Sequence, residues 1–119
     1  MNDAQKKYLT DAHIDLDTVV NYTGDLETYH EILVDFGDNL DNQLLEIKNA
    51  IHDLPNYAIL THALKSNART LGFTILADEA YKHEMAGKES NVTFINAEYP
   101  NLEKTAQNVK LFIEKYKNL

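Results

Sequence analysis

The chain contains no cysteine, and its 119 residues include only four glycines and two prolines. The absence of cysteine excludes disulfide bonds, thiolate zinc sites and cysteine nucleophiles. So few turn-forming residues cannot supply the turn every roughly 8–12 residues that a β-sandwich or β-barrel requires. The sequence therefore predicts a protein built from helices, as a single domain over residues 1–119.

Basic residues are also scarce. The chain has 11 Lys and Arg against 19 Asp and Glu, which gives a net charge of −8. Without a basic run, such a chain is a poor ligand for nucleic acid or for an anionic membrane. No apolar stretch reaches the ~18 residues of a membrane-spanning helix, and no signal-peptide core follows Met1. We therefore expect a cytoplasmic protein that contacts neither nucleic acid nor membrane.

The segments between the glycines and prolines have the apolar spacing of amphipathic helices. Apolar residues recur every three or four positions from Leu26 to Ile51, which predicts one long helix with a weak point at Gly37. A second helix is expected to begin near Asp53, where a capping residue precedes a proline, and to end at Gly72.

The rest of the chain predicts two further helices. The third follows Gly72 and ends at Gly87, and the fourth begins at Ser90 or Asn91 and should be kinked or split by Pro100. Short connections predict an antiparallel up-down-up-down four-helix bundle, preceded by a short helix within residues 11–21. Residues 1–10 are expected at the periphery of the domain.

The most specific segment is residues 61–73, THALKSNARTLGF. On a helical wheel, Leu64 and Ala68 mark the core side, and His62 lies near the centre of the opposite side. The following residues share the side of His62: Ala58, Ile59, Lys65, Ser66 and Arg69. By position alone, these residues fit a solvated surface as well as a functional site.

Their chemistry favours phosphoryl transfer. A neutral imidazole is a good nucleophile near pH 7, so an exposed His62 could attack a phosphoryl group. Lys65 lies one helical turn away, where its ammonium group would stabilise the added negative charge. Ser66 is small enough to let a phosphodonor approach closely.

This segment resembles the signature of histidine-containing phosphotransfer (HPt) domains: His, any residue, a hydrophobic residue, Lys, usually Gly, two small residues, and later a hydrophobic residue followed by Gly. The matching positions run from His62 to Gly72, with Ser66 in place of the commoner Gly and Asn67 in place of the commoner Ser or Ala. The resemblance extends to the segments 13–33 and 94–113. It covers about residues 13–115, and so implies that the core of the domain lies within this range.

The resemblance implies a phosphorelay intermediate rather than an enzyme. His62 would accept a phosphoryl group from a kinase or from the aspartyl phosphate of a receiver domain, and would pass it to another receiver. Lys65 would stabilise the phosphoryl oxygens, and Ser66 would be a contact or access residue. The residues expected to dock the partner are Ala58, Ile59, Ala63 and Arg69. The implied partners are response-regulator receivers and a sensor or hybrid histidine kinase. No cofactor is implied on this chain, because the receiver holds the Mg²⁺.

Two other functions fit parts of the sequence. A helical bundle could serve as an interaction module without phosphotransfer, although His62 and Lys65 are both present. A metal-binding bundle could use Glu27 and His30, which have the Glu-x-x-His spacing of di-iron proteins, but that motif occurs only once. The other histidines are expected to be structural or surface residues.

Overall fold

The computed structural model describes all residues 1–119 and contains helices but no strands. The helices are α1 (Asp3–Asp11), α2 (Leu16–Thr23), α3 (Leu26–Asn49), α4 (Leu54–Leu71), α5 (Thr74–Lys88) and α6 (Val92–Lys117), with a 3₁₀ turn at Ala50–His52. The all-helical class is therefore confirmed. None of the helices is both long and apolar enough to cross a membrane.

The four longest helices pack around a shared apolar core. Helix α3 contacts α4, α4 contacts α5, α5 contacts α6, and α6 contacts α3, so each of the four has two neighbours among them. Apolar side chains spaced for this packing form one cluster of 24 buried residues. Its largest fully buried members include Tyr29, Tyr57, Leu64, Leu102 and Tyr116. Burial of these side chains from water is the main stabilisation of the bundle.

The first ten residues are not peripheral, which corrects the sequence-based expectation. They form most of α1, where Asn2 and Gln5 cap the helix reciprocally. Leu9 is fully buried in the core, and the Tyr8 hydroxyl donates to the Phe112 carbonyl at 2.8 Å. One buried leucine in a short helix is too weak a periodic signal to be recognised in the sequence.

Helices α3 and α6 are both continuous. Helix α3 is continuous through Gly37, as expected. A Cβ at this position would lie 2.7 Å from Cγ2 of Ile113 on α6. Gly37 is thus a point of close helix contact. Helix α6 is also continuous, so Pro100 does not split it. Its neighbours Tyr99 and Leu102 are buried, and this packing holds the helix together despite the hydrogen bond that proline cannot make.

A tight connection at Gly72 places α5 beside α4. Gly72 adopts a left-handed conformation with φ of 93°, which glycine tolerates at a helix end. The Phe73 amide then donates to the Ala68 carbonyl at 2.9 Å, and α5 begins at Thr74. Two helices joined by so short a turn lie side by side. Residues at similar distances before and after Gly72 therefore face one another.

Candidate functional site

His62 lies on the outer side of α4. Its side chain is 59% exposed, whereas Leu64 and Ala68 of the same helix are fully buried. The α-helical repeat alone explains this contrast, since His62 is half a turn away from Leu64. The structure therefore gives a nucleophilic imidazole access to solvent.

Glu84 on α5 faces His62, and its carboxylate contacts three side chains from α4 and α5. His62 Nδ1 lies 3.0 Å from Glu84 Oε2, and Lys88 Nζ lies 2.9 Å from the same oxygen. Lys65 Nζ lies 2.7 Å from Oε1 of Glu84. The Glu84 side chain is only 3% exposed. One buried carboxylate is thus in contact with an imidazole and two ammonium groups.

These contacts keep Glu84 ionised. Burial by itself raises the pKa of this carboxyl group, because the charged form loses its water. The groups of Lys65, Lys88 and His62 outweigh that effect and lower the pKa of Glu84 to about 2. At neutral pH Glu84 is therefore a carboxylate, which accepts hydrogen bonds but cannot donate one.

The charge of Glu84 sets the tautomer of His62. Because a carboxylate only accepts hydrogen bonds, the proton of neutral His62 belongs on Nδ1, where it donates to Oε2. The other ring nitrogen, Nε2, then carries the free lone pair. An orienting carboxylate on one nitrogen prepares the other for chemistry, as it does for metal-binding and catalytic histidines. Nε2 is thus the ring nitrogen that is free to react or to bind a ligand.

Lys65 is less free than a surface lysine would be. Its side chain is 14% exposed, and its Nζ also lies 5.3 Å from the centre of the Tyr81 ring. The ion pair with Glu84 and the cation–π contact hold the ammonium group near His62. The lysine therefore occupies a defined position before any ligand is present.

His62 is the one residue shared by the linings of two neighbouring cavities. A cavity of about 510 Å³ lies between the start of α4 and the end of α5, with Ile59, Glu84 and Lys88 in its lining. A second cavity of about 290 Å³ is lined by Tyr22, His62, Lys65, Ser66, Arg69 and Thr70. The imidazole is therefore open to ligands on both sides.

The structure brings together most of the residues singled out from the sequence. Ile59, Ala63, Ser66 and Arg69 are exposed on α4, and the Arg69 guanidinium lies 3.9 Å from the Asp78 carboxylate. Ala58 is different: it is buried against Gly87, where a Cβ would lie only 3.1 Å from the Ala58 amide nitrogen. The helical wheel placed Ala58 on the exposed side because it takes no account of where α5 crosses α4.

Sequence reasoning missed three residues that border the imidazole: Tyr22, Glu84 and Lys88. Glu84 and Lys88 have the i, i+4 spacing of a helical ion pair, which was a usable signal. That spacing is common on helix surfaces, however, and says nothing of burial. Only the packing of α5 on α4 shows that Glu84 is buried beside His62.

The buried or half-buried histidines make contacts within the fold. His83 Nδ1 lies 2.7 Å from the Tyr57 hydroxyl in the core, and burial lowers the pKa of His83. His30 Nδ1 lies 2.6 Å from the Tyr116 hydroxyl. No group of three or more His, Asp or Glu side chains is arranged to hold a metal ion. Glu27 and His30 therefore have no further ligands with which to build the di-iron type of site.

Comparison of the chain with protein-family models, with curated proteins and with solved structures gave no match. We therefore infer the function of this chain from the sequence motif and from the geometry around His62.

Proposed function

We propose that this protein is a phosphorelay intermediate that carries a phosphoryl group on Nε2 of His62. The observation that carries the proposal is the contact between His62 Nδ1 and the buried carboxylate of Glu84. It leaves Nε2 with the lone pair on an exposed imidazole. Lys65, from the HPt-like motif, stands beside that imidazole.

This geometry supports the following transfer step. The Nε2 lone pair attacks the phosphorus of a partner's aspartyl phosphate, and a P–N bond forms. The P–O bond of the donor breaks, and its electron pair leaves with the aspartate as a carboxylate. The proton stays on Nδ1, so the ring becomes cationic, and Glu84 stabilises that charge. The same step in reverse passes the phosphoryl group to the aspartate of the next receiver.

Two further residues of α4 have proposed roles beside the imidazole. The ammonium group of Lys65 stabilises the phosphoryl oxygens, and the small, exposed Ser66 leaves room for the donor. Both residues line the smaller cavity with His62, which supports these assignments. Because the ammonium group of Lys65 is already in position, no free energy is needed to order it during the transfer.

The proposed partners are receiver domains of response regulators and a sensor or hybrid histidine kinase, with the Mg²⁺ held by the receiver. Ile59, Ala63 and Arg69 form the proposed docking patch around His62. Ile59 is the most exposed large apolar residue of α4. A small patch with an apolar centre suits a transient interface, which a relay requires. We place this protein in the cytoplasm, where it needs no cofactor of its own.

The proposal includes the arrangement of the helices. We infer that α3, α4, α5 and α6 form an antiparallel up-down-up-down four-helix bundle, with α1 and α2 added at the N-terminus. The short connections favour it: two residues separate α4 from α5, and three separate α5 from α6. Such connections join antiparallel neighbours.

Incubation with phosphoramidate tests the function without knowledge of the partner. Its P–N bond breaks as the bond to His62 forms, and ammonia leaves. Intact mass and ³¹P NMR should show one acid-labile phosphoryl group, which is absent in His62→Gln. His52→Gln is the matched control, because His52 is also exposed but lies in the 3₁₀ turn. A folded wild-type protein that takes up no phosphoryl group would favour an interaction module instead.

A further inference from the structure

Lys88 lies outside the sequence motif, but its ammonium group contacts the same oxygen of Glu84 as the imidazole of His62 does. Its Nζ is 2.9 Å from Glu84 Oε2, and His62 Nδ1 is 3.0 Å from that oxygen. The Lys88 side chain is 56% exposed, in contrast to the enclosed side chain of Lys65. Lys88 is thus a partly exposed residue whose ammonium group shares one oxygen of Glu84 with the imidazole.

The larger cavity at His62 has Lys88 as its only cation. Its one carboxylate is Glu84, and the remaining lining is apolar or neutral, including Ile59 and Ser90. The smaller cavity is served by Lys65 and Arg69 instead. An anionic group attached to His62 on the side of the larger cavity would therefore meet Lys88 and no other positive side chain.

The charges at the site favour a movement of Lys88 from Glu84 toward a phosphoryl group on His62. In the free site, the carboxylate of Glu84 faces the two ammonium groups of Lys65 and Lys88, so one positive charge is in excess. Phosphorylation of Nε2 makes the ring cationic, and the ring then compensates Glu84 directly. The phosphoryl oxygens add a charge of about −2 next to it. Lys88 is then held less by Glu84 and attracted more by the phosphoryl group.

We propose that Lys88 is a second phosphoryl-binding residue, which leaves Glu84 and pairs with the phosphoryl oxygens on phosphorylated His62. Lys65 stays at Oε1 of Glu84 and stabilises the phosphoryl oxygens from the side of the smaller cavity, so the two ammonium groups lie on either side of the phosphoryl group. The inference rests on the proposed function, since it concerns the phosphorylated form of the same histidine. It assigns to α5 a part of the site that the motif on α4 does not contain.

The test is ³¹P NMR of the protein phosphorylated with phosphoramidate, titrated with pH. The titratable or charged groups that border His62 are Tyr22, Lys65, Arg69, Glu84 and Lys88. A nearby ammonium group favours the doubly charged phosphoryl form, so Lys88→Gln should raise the midpoint of its titration by about half a pH unit. Lys88→Arg should keep the wild-type midpoint. Lys82→Gln is the control, because Lys82 is exposed on α5 but lines neither cavity at His62.

The outcomes separate this inference from the function on which it rests. A raised midpoint in Lys88→Gln, but not in Lys88→Arg or Lys82→Gln, supports a positive charge of Lys88 next to the phosphoryl group. Equal midpoints in phosphorylated wild type and Lys88→Gln would overturn the role of Lys88 and leave the function standing. A wild-type protein that accepts no phosphoryl group would overturn both.

Discussion

The Nδ1 atom of His62 lies 3.0 Å from Oε2 of Glu84, so an exposed imidazole is oriented by a carboxylate that is itself buried. Burying a carboxylate costs several kcal/mol unless partners compensate for the lost water. Here the compensation comes from the residues of the candidate site, including Lys65 and Lys88. The stability of the α4–α5 pair and the chemistry of His62 are therefore linked through one side chain.

We expect Glu84 to lower the free energy of unfolding as the pH becomes acidic. Its pKa is about 2 in the folded protein, below the ordinary value of 4.5, so the folded state favours the charged form. The resulting stability is fully present above pH 4.5 and is lost as the pH falls toward 2. The shift corresponds to at most about 3 kcal/mol.

Urea unfolding at a series of pH values measures this effect, with Glu84→Gln as the comparison. The free energy of unfolding of the variant should fall less steeply between pH 4.5 and 2 than that of the wild type. Parallel pH profiles for the two proteins would show that Glu84 is not held in its charged form by the fold. Other carboxylates contribute equally to both profiles and cancel in the difference.

Replacing Lys65 by Ala should slow phosphorylation of His62 by about tenfold without abolishing it, because the nucleophile remains while one positive charge is lost. It should also cost about 1–3 kcal/mol of stability, since Glu84 Oε1 loses its partner. Time courses with phosphoramidate and chemical unfolding measure the two effects. Lys82→Ala serves as the control, and a rate equal to that of the wild type would remove Lys65 from the site.

Gly37→Ala should destabilise the protein by about 1–3 kcal/mol, although alanine is the better helix former. The added Cβ would lie 2.7 Å from Cγ2 of Ile113, so α3 and α6 would have to separate. In an Ile113→Ala background most of this cost should disappear, because Cγ2 is gone. A double-mutant cycle of unfolding free energies measures the coupling between the two positions.

Uptake of a phosphoryl group by His62 is the control that shows whether the Gly37 and Ile113 variants leave the candidate site intact. Neither Gly37 nor Ile113 lines a cavity at His62, so uptake of the phosphoryl group should be unchanged in the folded variants. A Gly37→Ala protein as stable as the wild type would show that α3 and α6 do not approach so closely there.

Much of the fold could be predicted from the sequence, because each long helix has its own apolar period and its own end signals. Asp53 does cap α4, Gly72 does end it, and Asn91 caps α6. The predicted end at Gly87 is one residue short of the end of α5 at Lys88. These features are local, so a single segment contains the information for them.

The features that could not be predicted depend on contacts between helices. In the sequence, Gly37 is only a residue that weakens a helix, and its close contact with Ile113 is seen only in the structure. Likewise, the helical wheel places Ala58 on the exposed side, whereas in the structure Gly87 packs against it. Glu84 is an ordinary acidic residue in the sequence, and only the turn at Gly72 brings it to His62. The motif thus indicated His62 as the candidate nucleophile, whereas the carboxylate that orients it could be found only from the structure.

The most direct measurement is a two-dimensional NMR spectrum of the ¹⁵N-labelled protein before and after phosphorylation with phosphoramidate. Long-range couplings within the imidazole ring of His62 distinguish Nδ1 from Nε2. The same spectrum of His62→Gln identifies the signals of this residue. The structure predicts a proton on Nδ1 before the reaction, and after it the same proton with phosphorus on Nε2. Phosphorus on Nδ1, or on another residue, or no phosphorylation of the folded protein would contradict the proposed site.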